Sequence, residues 1–301
     1  MTSHLFFTAP GELDAVVPGD SFTLTGDEAR HAVTVKRIEP GEPVDLADGR
    51  GRRLVGEAIS GGAGELTVRA LRILQEPDPN PELVLVQALA KGNRDELAIE
   101  AATELGVDVV VPWQAERSIV RWKADKATKG VAKWQMAVRA AAKQSRRARV
   151  PDVESLVERS GLCAMIRSSR LSLLLHEDAA GSVADAVHGA DLGPGPSRAE
   201  YRGKNDGGAS PADGSSPDGG ATRDGGPSSA AASVGRASPG DGRMDRVLMI
   251  VGPEGGISQA EVDAMLDAGA VAVRLGPHVL RSSTAGPAAL TLLSEMLGRW
   301  R

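Results

Sequence analysis

The sequence predicts an α/β protein whose sheet is mainly parallel, preceded by a small β-barrel. Three observations predict it. Residues 1–75 break into short apolar runs separated by turn signals. After residue 82, continuous apolar runs alternate with stretches of helical spacing. Two late elbows, Val251-Gly-Pro-Glu-Gly-Gly-Ile-Ser258 and Leu275-Gly-Pro-His-Val-Leu-Arg-Ser-Ser-Thr-Ala285, each come after an apolar run and open a helical one. Alternating strands and helices select a parallel sheet, because each helix carries the chain back to the same end of it.

The barrel comes first. Val33-Thr-Val35, Val44-Asp-Leu46, Leu54-Val55 and Leu66-Thr-Val68 are its strand candidates, and Pro40-Gly41, Asp48-Gly49 and Gly61-Gly62 its turns. Such spacing suits a small closed sheet. The Pro-rich join Pro77-Asp-Pro-Asn-Pro81 places one domain at 1–76 and the next at 82–301. In the second domain, Leu83 to Leu89 is apolar without alternation, as in a strand covered on both faces. Residues 94–105 have helical spacing, with Leu97, Ala101 and Leu105 on one face, and Gly106 stops that helix. Val107 to Val111 is the next strand. A long basic helix covers about 126–148, with Trp134 and Val138 toward the core. Leu171 to Leu175, Arg246 to Val251 and Ala270 to Leu275 complete the strand set.

Residues 193–243 belong to neither pattern. They hold thirteen of the chain's 36 glycines, and Tyr201 and Val234 are their only sizeable apolar residues. Such a segment cannot offset its ordering entropy, so a disordered insertion between two core strands is expected.

Composition narrows the function. With 301 residues the chain has room for about two domains, and with 3% aromatics its core is built from Leu, Val, Ala and Ile. Cys163 is the only cysteine, which excludes an intramolecular disulfide and fits a reducing compartment. No signal segment and no run of 18 apolar residues occur, so a soluble, cytoplasmic protein without a membrane partner is expected. Net charge is −5, yet Arg117 to Arg149 holds eleven Lys/Arg and one acid, Asp125. A polyanion meets the local field, not the average.

The elbows carry the ligand argument. Gly255 and Gly256 permit positive φ or close backbone approach. Ser258 stands three before Glu261, the spacing of a capping box. At the second elbow, Ser283 or Thr284 can cap a helix whose first turn holds Ala285, Gly286 and Pro287, small enough for close packing. Ligands of open α/β sheets sit beyond the carboxyl ends of the strands, where both elbows fall. No P-loop, Gly-x-Gly-x-x-Gly or Gly-x-Ser-x-Gly motif is present, and the five histidines and Cys163 lack metal spacing. No metal is expected.

Several segments together resemble one family. They are Arg30-His-Ala-Val-Thr-Val-Lys-Arg37, Val86-Gln-Ala-Leu-Ala-Lys-Gly92, Ala102-Thr-Glu-Leu-Gly106, Glu116-Arg-Ser118 and Ala141-Ala-Lys-Gln-Ser-Arg-Arg147. Leu175-His-Glu177, Gly252-Pro-Glu-Gly-Gly256 and Leu275-Gly-Pro-His-Val-Leu-Arg281 come next in order. The chain resembles the RsmE family of SPOUT-class, S-adenosylmethionine-dependent 16S rRNA methyltransferases. The resemblance implies a trefoil-knotted α/β domain, a PUA-like N-terminal barrel, a homodimer, and methylation at N3 of a uridine in the decoding region. The run after Arg281 is Ser-Ser-Thr where many members carry Thr-Glu-Thr, and His278 stands where arginine is common. Methylation of another RNA atom such as ribose 2′-O, or a non-catalytic RNA-binding assembly factor, are the alternatives.

On that resemblance, backbone groups of Gly252, Gly256, Leu275, Gly276 and Leu280 are candidates for adenine and ribose contacts. Leu175, His176 and Glu177 form another wall, and Thr284 and Ala285 complete the cofactor set. Arg281 holds the donor carboxylate or stabilises the uridine O⁻. Glu254 lines the same site and is the nearest candidate base. For RNA, Arg30, Lys36 and Arg37 on the barrel join Arg117, Arg121, Lys143, Arg146 and Arg147 from the basic run. Lys126, Lys129 and Lys133 share a helical face, while Arg139, Lys143 and Arg147 have i,i+4 spacing. Arg50, Arg52 and Arg53 extend the footprint across the barrel.

Overall fold

The computed structural model describes residues 3–192 and 244–300. The insertion expected at 193–243 lies outside the described residues.

The N-terminal domain is a five-stranded sheet. Its strands are β1 (His4–Phe7), β2 (Ser21–Leu24), β3 (Pro43–Ala47), β4 (Arg52–Gly62) and β5 (Glu65–Gln75). They lie in the order β1-β3-β4-β5-β2, with β1 parallel to β3 and the other pairs antiparallel. No ladder joins β1 to β2 among the described residues, so the hydrogen-bonded ring of a closed barrel is incomplete. Helix α1 (Gly26–Arg30) and the turn after it contribute Ala29 and Ala32 to the core between Phe6, Leu46, Leu54 and Leu66.

That turn corrects one expectation. Val33-Thr-Val35 is not a strand: His31–Val35 is π-helical, with the Lys36 N–H bonded to the His31 carbonyl at 2.9 Å. β-Branched preference is weak, and burying Ala32 under the sheet outweighs it.

The second domain holds a seven-stranded sheet. Its elements are β6 (Glu82–Ala88), α2 (Arg94–Leu105), β7 (Val109–Trp113), α3 (Asp125–Gln144), β8 (Asp152–Val153), α4 (Arg159–Ser168) and β9 (Ser169–Leu175). Then come β10 (Gly181–Ser182), α5 (Val183–Gly189), β11 (Met244–Val251), α6 (Gln259–Asp267), β12 (Val271–Arg274) and α7 (Ser282–Met296). The order is β10-β12-β9-β11-β6-β7-β8, and every pair is parallel.

Both faces are covered, as the unbroken apolar runs require. On one side Val247, Met249 and Val251 of β11 meet α2, α3, α5 and α7. On the other, Leu248 and Ile250 meet α4 and α6. Trp134 and Val138 point into the first of these cores, as their spacing predicts. Helix α2 differs. Its buried face is Asp95, Ala98, Ile99, Ala102 and Thr103, and Leu97 is 56% exposed. The sheet and α7 select the side rich in small residues, because it lets α2 approach closely.

The domains meet along α3 and β1. Leu5, Phe7 and Ala47 pack against Ala142 and Ala148. The Arg139 guanidinium lies 4.6 Å from the Phe7 ring centre, and Lys143 Nζ lies 5.0 Å from that of Phe6. Each is a cation–π contact that covers an apolar ring with an amphipathic stem.

Candidate active site

The carboxyl ends of β9, β11 and β12 open into one cavity of about 860 Å³. Leu175, His176 and Glu177 line it from β9 and the loop after it. Gly252, Glu254 and Gly256 line it from the first elbow, and Leu275, Leu280, Arg281 and Ala285 from the second. Ten of the predicted cofactor residues thus share one space. Gly276 and Thr284 are not in its lining. Gly276 supplies the turn instead, at φ 114°, a region that strains other residues. The Thr284 N–H is taken by the Arg281 carbonyl, at 2.8 Å.

The first elbow forms as its sequence demands. Ser258 caps α6 and Glu261 reciprocates, the complete capping box. Gly256 sits at φ 74° with its N–H on the Pro253 carbonyl at 2.9 Å. Gly252 is required for another reason: a Cβ there would lie 2.5 Å from Ile257 Cγ1.

A second loop clasps this elbow. The Glu116 N–H donates to Glu261 Oε1 at 2.8 Å, and Ser258 Oγ lies 2.7 Å from Glu116 Oε2. That clasp accounts for Glu116 in the Glu-Arg-Ser segment. It also brings Arg117 to the cavity, where Nη1 donates to the Gly255 carbonyl at 3.4 Å.

The second elbow departs from prediction at its helix start. Arg281 is the N-cap, with no side-chain cap bond, and Ser282 is the first helical residue. Ser283 and Thr284 therefore lie within the first turn, and Ala285, Gly286 and Pro287 fall beyond it. Close packing is observed: a Cβ on Gly286 would lie 2.7 Å from Leu85 Cδ1. The Arg281 carbonyl already accepts the N–H groups of Thr284 and Ala285, at 2.8 and 3.0 Å, so the helix starts at Ser282, ahead of the expected caps.

The candidate base is not alone. Glu254 Oε1 accepts from Arg94 Nη1 at 3.0 Å, an ion pair from the first residue of α2 to the elbow. Arg94 and Asp178 line the cavity and were missed by sequence reasoning. Arg94 was findable, since it comes after the carboxyl end of β6 through Lys91-Gly-Asn93. His278 also lines the cavity, and His176 Nδ1 accepts the Asp178 N–H at 3.3 Å. Beside Arg94, burial pushes the Asp95 carboxyl above its ordinary range, against backbone donors from Ala90 and Glu96. No group of His, Cys, Asp and Glu among the described residues could hold a metal ion.

The candidate RNA residues separate into two sets. Lys36, Arg37, Arg117, Arg121 and Arg146 are exposed and make no ion pair among the described residues. Arg30 is also exposed and pairs with Asp27 within one turn. Lys143 is held 2.6 Å from Glu28. Arg147 Nη1 donates to the carbonyls of Thr103 and Val107, both at 2.8 Å, which ties the end of α2 to the start of β7. Lys133 pairs with Glu96. Arg52 binds the Leu13, Asp14 and Val16 carbonyls. The basic run is thus partly internal: acids and carbonyls from other elements meet it in the fold.

Comparison with known proteins decides the family. A model described as an RNA methyltransferase domain matches residues 76–194 and 228–294, and one described as an RNA methyltransferase PUA domain matches 24–71. The ribosomal RNA small subunit methyltransferase E of Mycobacterium bovis is 37% identical over 281 residues, covering 92% of this chain and 87% of that protein. The chain belongs to the ribosomal RNA small subunit methyltransferase E family. The Bacillus subtilis protein of the same name is 25% identical, over 91% of this chain and 90% of its own. Among solved structures, the family's Neisseria gonorrhoeae protein bound to S-adenosyl methionine superimposes with a TM-score of 0.70. Its identity is 22%, with both chains fully covered.

Proposed function

We propose that this protein methylates N3 of a uridine in the decoding region of 16S rRNA, using S-adenosylmethionine. The observation that carries the reading is the convergence of both glycine elbows and the β9 end on one cavity, in a chain of this family. The residues suit the donor. Apolar walls from Leu175, Val251, Ile257, Leu275 and Leu280 fit an adenine ring, and the elbow backbone supplies donors and acceptors for its edge. Carboxylates of Glu177 and Asp178 line the same space and balance a sulfonium charge. Arg281, at the N-terminus of α7, suits a carboxylate. When bound, the donor supplies an electrophilic methyl group, so no metal is required.

The chain's own work is to align, exclude water and move a proton. Uridine N3 carries an imino proton and becomes nucleophilic only once it is removed. Glu254 is the carboxylate assigned to that proton. Arg281 stabilises the uridine O⁻ that results. The pairing edge is reached only if the base leaves its stack, and the exposed cations Arg117, Arg121, Lys36, Arg37, Arg30 and Arg146 hold the backbone while it does. The elbows serve as knot loops, a second copy completes the site, and the protein works in the cytoplasm. No helix of the described residues is long and apolar enough to cross a membrane.

Nucleoside mass spectrometry of 16S rRNA from a deletion strain tests this reading. Loss of 3-methyluridine, restored by the intact gene, is expected. Undiminished 3-methyluridine would overturn it.

A further inference from the structure

Among the described residues, Arg94 is the cation that holds the candidate base, at 3.0 Å from Glu254 Oε1. It belongs to α2, not to either elbow, and reaches across 160 residues of sequence to do so. Its side chain is half exposed, and ion pairs of that exposure are weak and readily exchanged. Arg117 stands on the adjoining residue, donating to the Gly255 carbonyl. Two guanidinium groups therefore flank residues 254 and 255 at the cavity mouth, and both are open to solvent. A guanidinium fork matches the non-bridging oxygens of a phosphodiester better than a single carboxylate oxygen, because it donates two parallel hydrogen bonds.

We propose that the Arg94–Glu254 ion pair is a latch opened by the RNA backbone. A phosphate next to the target nucleotide takes the Arg94 guanidinium, with Arg117 as the second cation, and Glu254 Oε1 is released. The proton step rests on the uridine-N3 chemistry proposed above. The N3–H bond breaks and its proton goes to the freed carboxylate. The electron pair left on N3 forms the new bond to the methyl carbon as the sulfonium C–S bond breaks, and that bond's electron pair leaves on the neutral thioether. Water takes the proton from Glu254 after product leaves. Arg94 is thus a positioning residue that ties the availability of the base to a seated substrate. The other charges lining the cavity, Arg274, Arg281, Glu177 and Asp178, come from the β9 and β12 side.

The test uses small ribosomal subunits from a strain lacking the modification, with the full-length protein and its R94A, R94K and E254Q variants. Three quantities are measured: subunit affinity against salt, kcat and KM for 3-methyluridine formation, and donor affinity by calorimetry. R94A should bind subunits about 10- to 100-fold more weakly, the worth of a hydrogen bond to a charged group. Its log–log salt slope should fall by roughly 0.7–0.9, one phosphate contact. Its turnover loss should lie mainly in KM, and R94K should recover part of the affinity. E254Q should keep subunit affinity and lose about 10²- to 10⁴-fold in kcat. Donor affinity should hold in R94A and R94K. R94A with wild-type subunit affinity and an E254Q-like loss of kcat would overturn the latch and leave Arg94 a mere prop for Glu254. Loss of donor affinity in R94A would overturn it too. Wild-type protein that forms no 3-methyluridine would defeat the uridine-N3 reading, while the affinity and salt-slope arms still judge the phosphate contact.

Discussion

Replacing Gly252 by Ala places a methyl group where the first elbow has no room. The new Cβ would lie 2.5 Å from Ile257 Cγ1 and 3.0 Å from its Cδ1. Ile257 is β-branched and stiff at χ1, and it stands next to Ser258, whose capping box fixes the start of α6. Relief must therefore come from moving the elbow rather than from rotating one side chain. Overpacking of this kind costs about 1–3 kcal/mol. If the donor binds only the native shape of the elbow, the same strain reappears on binding, and donor affinity falls by roughly 5- to 150-fold. Isothermal calorimetry with S-adenosylmethionine measures that ratio, and thermal melting reports the fold. Ile257 is itself a wall of the pocket, so the control is a double-mutant cycle: with the clashing Cγ1 gone, G252A/I257A should bind the donor as I257A alone does. Wild-type affinity in G252A would refute the reasoning, as would a G252A penalty that persists undiminished in the I257A background.

Other outcomes rest on the same structure. Arg246, 4% exposed, lies 2.6 Å from Glu82 and 2.9 Å from Glu154. Burial pulls its pKa down, yet the two carboxylates together hold it above the ordinary value. R246A strands both acids, so urea unfolding should show a loss of about 3–5 kcal/mol. Donor affinity should persist, because Arg246 is roughly 20 Å along β11 from Gly252 at ~3.3 Å per residue. Asp95 has a folded pKa raised above 3.8, so the native state binds its proton more tightly than the unfolded chain. Its contribution to stability is therefore lost as pH rises from about 3.8 through the raised value. Urea melts of wild type and D95N across that range should show the difference shifting in favour of D95N with rising pH. R117A should lower the salt slope of RNA binding by roughly 0.7–0.9, whereas K143A should leave it unchanged and reduce thermal stability. A reduced slope in K143A would place that lysine on RNA rather than on Glu28.

Local rules carried much of this fold. Residues 94–105 became α2 within the predicted bounds, and Ser258 with Glu261 formed the expected capping box, because both depend on neighbours in sequence. The apolar runs at Leu83, Leu171 and Arg246 became the central strands, since burial on both faces leaves no alternation. What failed depended on distant partners. The apolar stripe of Leu97 turned outward because α7 and the sheet favour the small-residue side of α2. The one-sided charge of α3 looked like an open cationic face, yet Glu96 and Glu28 neutralise two of its lysines from other elements. The same holds at the site. Elbow positions were legible from glycines at strand ends, while Arg94 on Glu254 joins residues 160 apart and leaves no local pattern.

The central claim is that the two elbows form one methyl-donor pocket. Calorimetric titration of the folded protein with S-adenosylmethionine tests it most directly, with R281A and G252A run alongside. Saturable binding by the wild type, weakened in both variants, is the predicted result. Absence of binding by folded wild-type protein, or undiminished binding by both variants, would contradict it.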